Sequence, residues 1–146
     1  LLVSLATTAV KPHIFDLSAC EQGAVILHIS LRDLSEQVIL ASDNVVDDVS
    51  HVCRAETSVH LAEQLTGNRD FIRCTLAEVL SNSAPPKNAE GQPTIFSPFG
   101  LGILDLAVTR LVLELAASEN LGTVIDSFLP HSWTEASDYR VASNRS

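Results

Sequence analysis

The sequence predicts an α/β fold built on a mostly parallel sheet, and three observations carry that expectation. Short apolar runs recur along the chain, the clearest being the near-continuous Ala24-Val25-Ile26-Leu27-His28-Ile29-Ser30. Runs of this kind suit strands covered on both faces, as parallel sheets require. Segments with helical spacing lie between them, and several runs end in loops carrying Thr, Ser or Asp. In such sheets ligands gather beyond the carboxyl ends of the strands. Four loops therefore matter most: Ala6 to Val10, Ser30 to Ser35, Asp47 to His51, and Ser97 to Gly100.

Taken in order, Leu1 to Leu5 reads as a buried strand running into Ala-Thr-Thr-Ala and then Lys11-Pro12. Asp16-Leu17-Ser18 can start a single helical turn. After the Ala24 to Ser30 strand, Leu31 to Ser35 is turn-like and Gln37 to Leu40 is apolar again. Asp43 to Asp48 reads as a third strand ending in two acids. Thr57 or Ser58 can cap a helix through Leu65, stopped by Gly67-Asn68. Asp70 is expected to cap the next helix, since Phe71, Thr75, Leu76, Val79 and Leu80 repeat with helical spacing. Ser81 to Gln92, with Pro85-Pro86 and Gly91, is a surface loop. Pro93 to Phe96 is a short strand. A long apolar helix spans about Leu101 to Ala117, Thr123 to Phe128 reads as a final strand, and the polar tail from His131 to Ser146 is expected to fray.

Composition narrows the function. The 146 residues are 46% hydrophobic and 18% charged, enough apolar material for a core. The net charge of -9 argues against binding a phosphate backbone. An anionic cofactor stays compatible, because backbone N–H groups can hold it without net positive charge. No apolar run approaches the roughly 18 residues of a membrane-spanning helix. The three cysteines, Cys20, Cys53 and Cys74, form no CxxC pair, which suits reduced thiols and a cytoplasmic setting. The sequence has no methionine and opens inside an apolar run, so a piece of a longer protein is expected.

Asp33 follows the strongest strand, where a carboxylate can accept a proton or orient a water. The plainer reading is a turn cap or a partner for the surroundings of Arg32. Asp47-Asp48 with His51 resembles a metal corner, but the ligand pattern is incomplete and no metal is expected. Acids at a strand end before a helix more often satisfy free N–H groups. His60 shares a helix face with Glu63 or Gln64, a solvated face by preference. His13, His28 and His131 have no partner in sequence, and no GxSxG elbow supports a serine nucleophile. Ser97-Pro98-Phe99-Gly100-Leu101-Gly102 suits a loop that presents N–H groups to a ligand, or equally a tight strand–helix connection. The dinucleotide fingerprint GxGxxG is missing.

Several strings resemble the ornithine cyclodeaminase/mu-crystallin family in the same order. They are Ala6-Thr7-Thr8-Ala9, Val25 to Ser30 running into Asp33, Val45-Val46-Asp47-Asp48, and Ile95 to Ala107 with its Phe-Ser-Pro-Phe-Gly-Leu-Gly core. His60 to Ile72 and that last string look like the subgroup of dehydrogenases in 2,3-diaminopropionate biosynthesis, known from staphyloferrin B siderophore assembly. The resemblance spans about residues 1–130. It implies the latter part of a Rossmann-type sheet in residues 1–100, and a C-terminal helix and strand of a dimerisation and substrate domain in 101–130. A flexible tail would follow over 131–146. The glycine-rich unit would lie upstream.

The resemblance also implies chemistry. An NAD-dependent oxidoreductase would oxidise N-(2-amino-2-carboxyethyl)-glutamate to 2,3-diaminopropionate and 2-oxoglutarate, as a homodimer when full length. Asp33 aligns with the family's acid beside the nicotinamide. Ala6, Thr7, Ser30, Leu31, Phe99 and Gly100 would line the cofactor. Ser97-Pro98 depart from the Lys-Ser of many cyclodeaminases, which disfavours cyclodeaminase chemistry. The alternatives are a cyclodeaminase-like lyase and a non-catalytic, mu-crystallin-like binder.

Overall fold

The computed structural model describes residues 1–125. The expected tail over 131–146, and the end of the expected strand at 126–128, lie outside them; residues 123–125 form no strand. Two compact units emerge, Leu1–Leu104 and a second beginning at Asp105.

The first unit is a five-stranded, all-parallel sheet, as the apolar runs predict. Its strands are β1 (Leu2–Leu5), β2 (Val25–His28), β3 (Asp43–Val46), β4 (Ile72–Thr75) and β5 (Thr94–Ser97). The order across the sheet is β1-β2-β5-β3-β4, so the last strand in sequence is central. Helices α1 (Glu36–Leu40), α2 (Val49–Val52), α3 (Ser58–Thr66) and α4 (Leu76–Leu80) fill the connections. Ile26, Leu34, Ile39, Val46, Val52, Val59 and Ile95 form the buried core. All four residues of β3 are buried, whereas Val25 of β2 stays 37% exposed.

Local chemistry explains where each helix starts. Ser35, Asp48, Thr57 and Thr75 each accept a hydrogen bond from a first-turn N–H of the helix that follows. Gly67 ends α3 at φ 70°, a left-handed cap that suits glycine.

Three expectations need correction. The strand expected to be buried at Leu1 to Leu5 is an edge strand, with Leu2 and Ser4 exposed and Val3 and Leu5 partly buried. Asp70 caps nothing: Ile72–Thr75 is a strand, and α4 starts after it with a capping box made by Thr75 and Glu78. The helical spacing of Phe71, Thr75 and Leu76 straddles the junction, and pairing with β3 overrides it. Residues Glu36–Leu40 are a helix rather than an unassigned apolar stretch.

At the amino ends of the strands, Asp43 is almost fully buried and binds Arg73 through Nε at 2.5 Å and Nη2 at 3.0 Å. The Thr94 hydroxyl donates to the same carboxylate at 3.0 Å. This clamp ties β3, β4 and β5 together.

In the second unit, α5 (Gly102–Ser118) runs on past Asp105, and its described side chains include no buried residue. Leu106, Val108, Leu111, Val112, Leu113 and Leu115 are exposed, so apolar groups stand on several sides of the helix. Arg110 and Glu114 pair along it at 2.8 Å.

Arg73→Met should destabilise the first unit by about 3 kcal/mol, because it strands a buried carboxylate. The midpoint of urea unfolding checks this.

Candidate functional site

Parallel pairing puts the loops after β1, β2, β3 and β5 at one edge of the sheet, and register sets which residues meet there. Leu5 of β1 pairs with His28 of β2. Thr7 and Ser30 therefore stand two residues beyond a matched pair. Both donate hydroxyl hydrogen bonds to the Asp33 carboxylate, Thr7 to Oδ1 and Ser30 to Oδ2. The Asp33 side chain has no exposed surface.

Two imidazoles flank this carboxylate. His28 is 1% exposed, and its Nε2 accepts the Asp33 backbone N–H at 3.3 Å. Its proton therefore sits on Nδ1, 3.2 Å from the Ser97 Oγ. Leu27 pairs with Phe96, which brings His28 level with Ser97 at the end of β5. On the other side, His13 Nδ1 lies 3.8 Å from Asp33 Oδ1, and the His13 ring is half exposed. The backbone enforces that neighbourhood, since His13 and Ile14 N–H both donate to the Asp33 carbonyl at 3.0 and 2.9 Å.

Burial alone would push the Asp33 pKa up. The Ser30 and Thr7 hydroxyls, with help from His28 and His13, outweigh that and hold it below the ordinary carboxylate value. Burial pushes His28 the other way, down to about 4, against the weaker pull of Asp33. The site thus holds an ionised carboxylate backed by a neutral imidazole. Neither plainer reading of Asp33 holds: Ser35 caps α1, and Arg32 donates to the Val10 and Ala55 carbonyls at 3.3 and 2.7 Å.

The Phe99–Gly100 loop is held separately. Val46 pairs with Ser97, so Asp47 follows β3 where Pro98 follows β5. Asp47 Oδ2 accepts both the Phe99 and Gly100 N–H, at 3.0 and 2.7 Å. Gly100 has φ 97°, and open space stands where a side chain would be. Asp47 also accepts the Asp48 N–H, and Asp48 caps α2 through the His51 N–H. These acids satisfy backbone donors. The Phe99 and Gly100 N–H groups are already spent on Asp47, so the loop presents its surface rather than those donors.

The other expected residues lie near the same edge. Ala6 is exposed between β1 and Thr7; Leu31 is 44% exposed, and its carbonyl accepts the Ser58 N–H at 2.9 Å. A small cleft there is lined by His28, Ser30, Leu31, Ser97 and Pro98 among others. An open groove of about 430 Å³ lies elsewhere, between Phe15–Ser18, α1 and Pro93, beside the starts of the strands. His60 is structural: its Nδ1 accepts the Glu56 N–H at 3.1 Å. Burial, reinforced by Glu63, pushes the Cys53 thiol up to about 11, which leaves no thiolate nucleophile there.

Sequence reading missed His13, His28 and the anchoring role of Asp47. Their partners lie 20, 5 or 69, and about 50 residues away. For His28 alone a signal existed, an imidazole at the end of a strand otherwise fully apolar.

Geometry of this kind defines a class: a Rossmann-type α/β sheet with a polar site at its strand tips. No known family profile matches the chain. It is 22% identical over 129 residues to N-((2S)-2-amino-2-carboxyethyl)-L-glutamate dehydrogenase of Staphylococcus aureus, covering 87% of this chain and 38% of that protein. It is 27% identical over 132 residues to alanine dehydrogenase of Archaeoglobus fulgidus, covering 86% of this chain and 41% of that one. The Thermococcus litoralis Δ1-pyrroline-2-carboxylate reductase, solved with NADH and L-proline, superposes with a TM-score of 0.76 at 22% identity, over 85% of this chain and 40% of that one. The chain thus spans about two fifths of the length of these relatives.

Titration of His28 sets a pH dependence. Its folded pKa is depressed, so the unfolded chain binds the proton first. Its contribution is complete above about pH 6.5 and is lost as pH falls toward 4, up to about 3 kcal/mol in all. Urea unfolding of wild type and His28→Asn across that window should show the slope in the former and a smaller one in the latter.

Proposed function

We propose that this chain is the cofactor-proximal part of an NAD-dependent oxidoreductase of the ornithine cyclodeaminase/mu-crystallin family. The observation that carries the reading is the ionised, desolvated Asp33 held between two hydroxyls and two imidazoles at the strand tips. The likeness to dehydrogenases in sequence supports it, as does the Rossmann-type fold. In this reading residues 1–100 are the latter part of the NAD-binding domain. Residues 101–130 belong to a dimerisation and substrate domain, 131–146 form a flexible tail, and the whole protein is a cytoplasmic homodimer.

The residues present fit one end of the cofactor. Exposed Leu31, half-buried Phe99 and the open space at Gly100 offer an apolar surface to a nicotinamide ring. Ala6, Thr7 and Ser30 stand beside it. The chain has no GxGxxG to cradle the diphosphate. NAD supplies the hydride acceptor. Asp33, buried and hydrogen-bonded at both oxygens, steadies the positive charge that develops beside it as water splits the resulting imine. Thr7 and Ser30 hold that carboxylate ionised, His28 fixes its backbone, and Asp47 sets the Phe99–Gly100 loop.

The proposed substrate is N-(2-amino-2-carboxyethyl)-glutamate, giving 2,3-diaminopropionate and 2-oxoglutarate for siderophore or antibiotic assembly. The relative from Staphylococcus aureus favours this choice. Ser97-Pro98 weigh against a cyclodeaminase-like lyase.

The protein that joins this chain to a GxGxxG-bearing segment should form NADH and 2-oxoglutarate in equal amounts from this substrate. Proline and ammonia without net NADH would indicate the lyase instead, and ligand binding without turnover the mu-crystallin-like binder. Asp33→Asn should lower kcat by at least about a hundredfold. The 146-residue chain alone should form no NADH, which a spectrophotometric assay checks.

A further inference from the structure

We propose that His13 is a catalytic residue of this site, the group that takes and returns the proton, with Asp33 as the positioning residue behind it. The inference rests on the oxidoreductase reading above and deepens it. Three observations carry it. The Asp33 side chain is wholly buried, while the His13 ring beside it is half exposed. A buried carboxylate cannot itself meet a substrate, whereas the imidazole it faces can. Both carboxylate oxygens are already committed, one to each hydroxyl of Thr7 and Ser30. That commitment keeps Asp33 an anion rather than a proton acceptor. Finally, the two residues are locked together through the backbone, by the His13 and Ile14 N–H bonds to the Asp33 carbonyl. Those backbone bonds keep the two residues adjacent, and His13 Nδ1 lies 3.8 Å from Asp33 Oδ1. Catalytic hydrogen bonds are often this long before substrate binds.

The charged groups near His13 are few. Lys11 lies on its own loop, and Arg32 donates to the Val10 carbonyl from the loop after β2. Among the described residues, Asp33 is the anion within ion-pair distance of the His13 ring, and His28 behind it is neutral.

With Nδ1 turned to Asp33, Nε2 takes a proton from water as the water oxygen bonds the imine carbon. The π pair of the C=N bond moves to nitrogen. The imidazolium then returns that proton to nitrogen, leaving a neutral carbinolamine. Nε2 next takes the hydroxyl proton as the carbonyl forms and the C–N bond breaks with its pair going to nitrogen, and it delivers that second proton to the departing amine. Asp33 stays ionised throughout and stabilises the imidazolium.

Two measurements test this. In the 146-residue chain labelled with 13C, the Asp33 carboxyl resonance should move a second time over the pH range in which the His13 ring protonates. His13→Gln should abolish that second movement, and its persistence in the variant would overturn the pairing. In the protein joined to its dinucleotide-binding segment, His13→Gln should lower kcat by about a hundredfold and leave the KM for NAD unchanged. It should also flatten the acidic limb of the pH profile. Full kcat with an intact acidic limb would overturn the role of His13 and leave the oxidoreductase reading standing. No NADH from the wild-type protein with any amino-acid substrate would overturn both.

Discussion

A carboxylate with no exposed surface, at the tips of parallel strands, has to be satisfied from every side, and much of the functional edge follows from how that is done. Asp33 draws a hydroxyl from the loop after β1, a hydroxyl from the end of β2, and the flanking imidazoles of His28 and His13. No single segment could supply these. The Leu5–His28 register delivers Thr7 and Ser30 in step, and a slip of one residue would separate them. A partly satisfied carboxylate in this position would cost more than the site could recover elsewhere.

The central place of β5 extends the same logic across the sheet. It pairs with β2 on one side and β3 on the other, so its end meets His28 and its following loop meets Asp47. One oxygen of Asp47 holds two successive N–H groups, which stiffens the turn into Gly100. The opposite edge of the sheet is closed by the Asp43–Arg73 clamp, where a desolvated charge is paired rather than used. The two buried carboxylates thus serve opposite ends: one is neutralised by a guanidinium, the other left to hydroxyls and imidazoles whose own protons can move.

Elements with their own chemistry could be read directly. The apolar run at 24–30, the Thr57 cap and the Gly67 stop needed only local rules. The β4–α4 junction misled the same rules. Thr75 serves at once as the last strand residue and as a helix cap, and periodicity cannot divide such a residue. Asp33, Thr7, Ser30, Phe99 and Gly100 were legible as positions at strand ends, and Thr7 through its family resemblance. The apolar strand around it was the one local mark on His28, and nothing local paired His13 with Asp33.

By itself, then, the sequence determined the parallel α/β architecture, most strand positions, the Thr57 cap with the Gly67 stop, and the loops that meet at the strand tips. Those depend on burial patterns and short-range hydrogen bonding, which a few neighbouring residues settle. Only the tertiary structure decided the strand order, the tautomer of His28, the anchoring of the Phe99–Gly100 loop by Asp47, and which imidazole faces Asp33. Each of these depends on pairing between separate strands and loops, and a parallel sheet makes that pairing only after the chain has crossed over and returned.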